Sequence, residues 1–154
     1  MYGVAQTNVI QPMAPEAIER VRMLESQLAE LPQVEIDTHH SLHGGMYART
    51  ITIPAGVALT GALMRVATLL IISGDADIFI GSKVIRFTGY NVLQAAAGRK
   101  QAFYAHKDTQ VTAIFPTSAK TVEEAEDQLT EEASQLLSRK QDRNFQGELI
   151  CQEQ

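Results

Sequence analysis

Short strand patterns that alternate with glycine-containing turns between residues 46 and 116 constrain the fold of this chain more than any other feature. Residues 46–53 show the period of two that a half-buried strand requires, with Tyr47 and Ile51 on one face and Thr50 on the other. Gly81 and Ser82 separate two further strand patterns by a two-residue turn, which is a strong hairpin signal. Turns at intervals of about ten residues favour an all-β sandwich or barrel over alternating strands and helices.

Two helical patterns flank this β region. Apolar residues recur every three or four positions from Pro15 to about Pro32, which predicts an amphipathic helix. A second helix is predicted to begin at Thr121, because Thr121 and Glu124 form a capping box, and to run to about Arg139. Residues 1–12 are interpreted as a loose arm that adds an edge strand.

The remaining boundaries follow from the same patterns. We expect a brief strand at 34–36, an extended region at 59–73 that Gly74 ends, and a hairpin that pairs 75–80 with 83–87. Further short strands are expected at 90–94, 100–106 and 109–115. Residues 140–154 form a polar tail in which Phe145, Leu149 and Ile150 offer apolar contacts to the barrel or to a second subunit.

Composition limits the function classes. A length of 154 residues suits one domain, and 45% hydrophobic with 20% charged residues is typical of a globular protein. The formal charge of -5, without a Lys/Arg-rich run, argues against nucleic acid as a partner. The longest apolar stretch, 66–72, is too short to span a membrane. Because Cys151 is the single cysteine, no internal disulfide can form, and we expect a cytoplasmic protein.

The glycine punctuation of residues 56–74, GVALTGALMRVATLLIISG, resembles the first motif of the cupin family. In cupins a glycine is followed at fixed spacing by the metal ligands His, His and Glu, and then by a closing glycine. Here those three positions hold Ala62, Met64 and Thr68, and Gly74 closes the motif. Alanine has no donor atom, and thioether and hydroxyl groups are poor ligands for divalent ions.

Residues 73–101 resemble the hairpin and second motif of the same family, whose turn leads to another histidine. The turn here is Ala96-Ala97-Gly98, and the histidine position holds Gln101. The resemblance therefore implies a cupin-like barrel, of the double-stranded β-helix or jelly-roll type, that lacks a metal and has flanking N- and C-terminal α-helices. The barrel is placed in 39–117, the arm and first helix in 1–38, and the second helix and tail in 118–154.

The stretch HHSLHGGMYARTITIPAG, residues 39–56, is similar to the opening of small phage-associated cupin-like proteins. That group carries His at the positions of Met64, Thr68 and His106, and only His106 is histidine here. Cupins commonly pair through sheet edges, so the resemblance also implies a homodimer. The apolar faces of the two helices would supply surface to seal it.

The histidines support two interpretations. A metal site would use His40 and His43 with His106 from a later strand, whereas the alternative is that His39, His40 and His43 cap strand ends beside Gly44-Gly45. Strand alternation from Gln101 places His106 on the outer face, although the family comparison points it inward. A pocket role for His106 therefore stays open.

The barrel interior is the other candidate site. Strand alternation predicts a mostly apolar lining with a few polar groups, which either fills the barrel or holds a small molecule: Met64, Val66, Thr68, Leu70, Ile78, Ile80, Gln101 and Phe103. Arg49, Arg65 and Arg86 would anchor an anionic ligand if they converge. The residues assigned to ligand binding are Met64, Thr68, Gln101, Phe103, His106 and Arg49.

Three functions remain open from the sequence. The leading hypothesis is a non-catalytic, metal-free cupin-like protein that binds a small molecule or a host protein as a phage accessory. The second is an enzyme, either metal-dependent through His40, His43 and His106, or a metal-free isomerase or epimerase that uses His106 and Tyr104 as acid and base. The third is a structural module that oligomerises.

Overall fold

The computed structural model describes residues 9–140, and its architecture is a mainly β barrel of jelly-roll type with flanking helices, as predicted. The strands are β1 (Val9–Ile10), β2 (Asp37–His43), β3 (Met46–Ile53), β4 (Ala58–Thr60), β5 (Thr68–Phe79), β6 (Val84–Ala95), β7 (Ala102–Ala105) and β8 (Thr109–Pro116). The helices are α1 (Pro15–Leu28) and α2 (Val122–Leu129), and a short 3-10 turn follows at Ala133–Gln135.

Two layers of strands share β5. The larger layer has the order β1-β6-β5-β8-β3-β2, and the smaller layer consists of β4, β7 and β5. Residues 69–73 of β5 pair with β8, whereas residues 76–79 pair with β7. The layers enclose a core that includes Ile53, Ile72, Ile78 and Phe103. The barrel closes because one long strand supplies hydrogen bonds to both layers.

Gly74 lies where β5 changes its partner. The expectation that this glycine ends the strand was wrong, since β5 continues through it and pairs with β6 along its length. A Cβ atom at Gly74 would lie 2.5 Å from Thr109 Oγ1 and 2.8 Å from the carbonyl oxygen of Asp108. Gly74 therefore allows the turn between β7 and β8 to approach the backbone of β5. The strands predicted separately at 83–87 and 90–94 form one strand, β6, which pairs with β5 without a break.

Residues 61–67 leave the sheet, so the predicted extended region at 59–73 is not a single strand. The backbone N–H of Met64 donates to the carbonyl of Arg99 at 2.9 Å, and that of Arg65 donates to the carbonyl of Leu129 at 2.9 Å. This segment is thus held between the β6–β7 connection and the end of α2. The strand expected at 34–36 was also misplaced, because β2 begins at Asp37.

Helix α1 begins at Pro15 as predicted and ends four residues before Pro32, at Leu28. It buries Ala17 and Val21 against Phe79 and Ala102 on the outside of the smaller layer. Residues 9 and 10 form the predicted edge strand, which pairs in parallel with β6. Within residues 9–140, neither helix has the length and hydropathy needed to cross a bilayer.

Helix α2 has the predicted capping box. The Thr121 hydroxyl accepts from the Glu124 backbone N–H at 3.1 Å, and the Glu124 carboxylate accepts from the Thr121 N–H at 3.1 Å. The helix ends at Leu129 rather than near Arg139. Thr130 is extended there, and its hydroxyl donates to the carbonyl of Leu63 at 2.6 Å. That contact turns residues 130–138 back onto the barrel. Cys151, Phe145, Leu149 and Ile150 lie outside the described residues.

Candidate functional site

A cavity of about 270 Å³ lies inside the barrel, where α1 and the segment after α2 cover its mouth. Its lining combines apolar side chains from β3, β4, β5, β7 and β8 with charged groups from the two covering segments and from the β6–β7 connection. The apolar part includes Ile51, Leu59, Met64, Leu70, Phe103, Val111, Ala113, Leu136 and Leu137. The polar part includes Arg22, Glu25, Arg49, Arg99, Lys100, Gln101 and Glu132. Mixed linings of this kind are typical of small-molecule sites.

Arg99 is one of the two most deeply buried charges of this lining, with 1% of its surface exposed. Its Nε donates to Gln101 Oε1 at 3.2 Å, and its two terminal nitrogens donate to the Ala96 carbonyl at 2.6 Å and to Thr68 Oγ1 at 2.8 Å. Every one of these acceptors is neutral. Burial lowers the pKa of the guanidinium to about 10, which is far enough above neutral pH to keep it charged.

Gln101 has a free donor beside this guanidinium. The side chain is 5% exposed, and among the described residues its amide nitrogen Nε2 has no hydrogen-bond partner. The orientation of the amide is fixed, because a guanidinium carries only donors and must face the oxygen Oε1. Its nitrogen is therefore the atom left without a partner in the cavity wall. A buried donor without an acceptor costs about 1–3 kcal/mol.

The ammonium group of Lys100, by contrast, already has three acceptors. Its ammonium, which is 1% exposed, contacts Glu25 Oε2 at 2.9 Å, the Gly61 carbonyl at 2.9 Å and Glu132 Oε1 at 3.5 Å. Glu132 also accepts from Arg22 at 2.7 Å and from the Leu63 backbone N–H at 3.0 Å.

Glu132 is held in its ionised form by these contacts. Burial by itself raises the pKa of this carboxyl group, but the Leu63 N–H, Arg22 and Lys100 outweigh it and lower the pKa to about 2. The network therefore joins α1, the 61–67 segment and the segment after α2 across the mouth of the barrel.

Arg49 reaches the cavity from β3. Its terminal nitrogen donates to Ser138 Oγ at 3.1 Å, and its Nε lies 3.7 Å from Glu126 Oε2 without a hydrogen bond. Glu126 accepts from Ser138 at 2.8 Å and from Arg139 at 2.9 Å. The segment after α2 is thus fixed to the barrel by a second buried polar cluster.

The structure places the residues that the sequence assigned to ligand binding in three groups. Met64, Gln101, Phe103 and Arg49 line the cavity. Thr68 is buried next to it and accepts from Arg99. His106 lies elsewhere, on the outer side of the smaller layer.

The four positions that the cupin resemblance assigns to metal ligands are Ala62, Met64, Thr68 and Gln101. Ala62, Met64 and Gln101 line the cavity, and Thr68 and Gln101 hold the Arg99 guanidinium. These side chains do not fit a divalent cation, because they offer weak donors and already surround a positive charge. Among residues 9–140, no three His, Cys, Asp or Glu side chains lie close enough together to hold a metal ion.

His106 contacts Asp77 and Tyr104. Its Nε2 lies 3.0 Å from Asp77 Oδ2, and its ring meets that of Tyr104 edge to face at 5.1 Å between centroids. The outward position agrees with the alternation of β7, in which Phe103 faces inward and Tyr104 outward. The pair considered for acid and base chemistry therefore lies outside the cavity.

The three clustered histidines lie in β2, and His43 is the last residue of that strand. His40 Nδ1 lies 2.7 Å from the hydroxyl of Tyr47, a residue whose pKa burial raises. His43 pairs with Met46 at the end of the sheet where β8 finishes, whereas His106 precedes the start of β8 at the other end. The fold does not bring His40, His43 and His106 together.

The arginines considered as an anion anchor do not converge. Arg86 forms a bidentate pair with Asp75 at 2.9 Å on the outer surface and lowers the pKa of that carboxyl group. Arg65 donates to the Asp127 and Gln128 carbonyls at the end of α2. Of the three, only Arg49 lines the cavity.

Sequence reasoning missed Arg99, Lys100 and Glu132. Adjacent Arg and Lys residues in a turn usually face solvent, so nothing in their local pattern indicates burial. The sequence offered one indication that Arg99 lies near the site. It stands two residues before Gln101, which occupies the histidine position of the second cupin motif. Glu132 could not be found because its partners are distant in sequence.

Among known proteins, only solved structures match this chain. No family model and no curated protein matches the chain. A cupin superfamily protein from Desulfitobacterium hafniense is 16% identical and has a TM-score of 0.46, over 72% of this chain and 96% of that one. A cupin-2 domain protein from Shewanella frigidimarina is 9% identical with a TM-score of 0.43, over 60% and 91% of the two chains. KdgF from a Halomonas species is 13% identical with a TM-score of 0.47, over 58% and 87%.

Proposed function

We propose that this protein binds a small molecule inside its barrel and does not catalyse a reaction on it. The observation that carries the proposal is the interior cavity of about 270 Å³, whose wall contains an unpartnered amide donor beside a buried guanidinium. Such groups lose free energy in an empty apolar site and regain it when a ligand accepts their hydrogen bonds. The volume lies just below the roughly 300–1,000 Å³ of sites for drug-sized ligands, which suits a small metabolite.

The state of the ionisable groups supports binding without catalysis. Lys100 and Glu132 hold one another and are fixed further by Glu25 and Arg22. A general acid or base needs a pKa near the working pH, and the pKa of Glu132 is about 2. His106 and Tyr104, the pair considered for isomerase chemistry, lie on the outer surface.

The biological setting is proposed by resemblance. Similarity to small phage-associated cupin-like proteins suggests an accessory protein that sequesters a host metabolite.

A homodimer also remains a proposal, but the surface expected to form its interface differs from the helix faces considered from the sequence. The apolar faces of α1 and α2 already pack within the chain through Ala17, Val21, Ala125 and Leu129. Exposed apolar residues instead occupy the outer face of β5 and β6, at Leu69, Tyr90 and Val92.

A cavity-filling variant tests the binding site. Ala113 lines the cavity from β8, so Ala113→Leu would occupy space that a ligand needs. Ala48, on the opposite face of β3 from Arg49, provides the matched control Ala48→Leu. Ligand-observed NMR with a library of small fragments should detect binders for the natural protein and for Ala48→Leu, and should lose them for Ala113→Leu. Fragments that bind all three proteins equally, or an absence of any binder, would overturn the proposal.

A further inference from the structure

Among the residues that the structure describes, Arg99 is a buried cation without a counter-ion. Within residues 9–140 every other positive side chain of the cavity lining has a carboxylate within 4.0 Å: Arg22 and Lys100 contact Glu132, and Arg49 lies near Glu126. Arg99 has none, although it is 1% exposed. An isolated buried charge is costly, and folded proteins normally pair it. The cavity wall thus holds a positive charge that no acidic residue within 9–140 matches.

Donors remain available at the same point. A guanidinium has five N–H groups, and Arg99 uses one on each of its three nitrogens, so each terminal nitrogen retains one. The Gln101 amide, whose oxygen is bonded to Arg99 Nε, adds its unpartnered nitrogen next to them. A cluster of donors around one positive charge matches a planar oxyanion, for which guanidinium is the preferred partner.

The rest of the lining restricts the ligand further. Away from Arg99 and Gln101, the wall includes the apolar side chains of Leu59, Leu70 and Val111, with Leu136 from the covering segment. Such a wall suits an uncharged body. The other charged groups of the lining already have partners: Arg22, Glu25, Lys100 and Glu132 pair with one another, and Arg49 contacts Ser138 and Glu126. A ligand with one negative charge and an apolar body therefore fits the cavity better than a polyanion does.

The geometry points to a small organic acid as the ligand, with its carboxylate received by Arg99 and the Gln101 amide and its apolar body packed among the aliphatic side chains of the barrel. The inference rests on the proposed binding function and names the class of molecule bound. Free inorganic phosphate shares the negative charge but lacks an apolar part, so it is expected to bind more weakly.

Acids and their amides provide the test, because each pair has nearly the same shape and differs in charge. Isothermal titration of the full-length protein with benzoate, cyclohexanecarboxylate and hexanoate should give binding by at least one acid. That acid should bind at least tenfold more tightly than its amide and than inorganic phosphate. If all three acids fail, or an amide binds as tightly as its acid, the assignment of a carboxylate is wrong.

Gln101→Glu is the sharpest variant. The change is almost isosteric and places a carboxylate against Arg99, so it should supply the missing counter-ion, raise the melting temperature and abolish binding of the acid. Arg86→Met, which removes an arginine from the outer surface, should leave acid binding unchanged. Retention of full acid affinity by Gln101→Glu would contradict the inference.

The fragment experiment with Ala113→Leu separates the two proposals. Neutral fragments that bind the natural protein and are lost in Ala113→Leu would preserve the binding function while the acid assignment fails. If neither neutral fragments nor acids bind the natural protein, both proposals are rejected together.

Discussion

Individual residues determine the chemistry of the cavity wall. Gln101 and Met64 could be located from the sequence, because their spacing from glycines resembles a known motif and their strand position indicates an inward direction. Arg99 could not be located in that way, since a charged residue in a turn is expected at the surface. Its burial depends on Thr68, Gln101 and the Ala96 carbonyl, which meet only after the barrel has closed.

Gly74 shows how one residue fixes the path of the chain. We expect Gly74→Ala to destabilise the protein by more than about 2 kcal/mol, because the added methyl group would overlap the backbone of the β7–β8 turn. Gly44→Ala is the control, since its φ of 61° is also positive but no atom beyond Gly44 and its two chain neighbours lies within 4 Å of the added carbon. That change should cost about 1 kcal/mol. Chemical denaturation measures both values, and equal losses would show that the close approach at Gly74 is unimportant.

The strands and helices were predicted better than their ends. Alternation and turn residues located β3, β7, β8 and the β5–β6 hairpin, and the capping box located the start of α2. Contacts distant in sequence set the ends that were missed. Helix α2 stops early because Thr130 bonds to Leu63, and residues 61–67 leave the sheet because they bond to Arg99 and Leu129. Local patterns carry no information about such partners.

The covering segment after α2 is held in part through Glu132, and the contribution of this carboxylate depends on pH. The folded pKa of Glu132 is lowered to about 2 from an ordinary value of 4.5, so its stabilisation is present above about pH 4.5 and is lost as the pH falls towards 2. Glu132→Gln should therefore reduce the free energy of unfolding by about 1–2 kcal/mol at pH 7, after allowance for its partial exposure.

Measuring the free energy of unfolding as a function of pH provides the control for this prediction. The difference between Glu132→Gln and the natural protein should shrink between pH 4.5 and pH 2. Glu131→Gln alters a neighbouring carboxylate that is 82% exposed, and should change stability by less than about 0.5 kcal/mol at any pH. A loss at Glu132 that is constant across this range would show that ion pairing is not its cause.

The molecule as a whole is a barrel whose interior contains a cavity of about 270 Å³ rather than being filled by side chains. Its core side chains close the two layers, while α1 and residues 130–138 bring charged groups to the mouth. Turn spacing predicted a β sandwich or barrel, and the motif resemblance narrowed this to a barrel. Apolar periodicity and the capping box predicted the flanking helices. They could not decide between a filled interior and a cavity, because that outcome depends on how side chains from seven separate segments meet.

The location of binding is the central claim, and methyl NMR tests it most directly. Leucine and valine methyl groups lie both inside the cavity, at Leu59, Leu70, Val111 and Leu136, and on the outer surface, at Leu69, Val84 and Val92. Titration with the tightest-binding fragment should shift the signals of the interior methyl groups and leave those of the outer set unchanged. Shifts confined to Leu69, Val84 or Val92 would place the ligand on the outside and contradict an interior binding site.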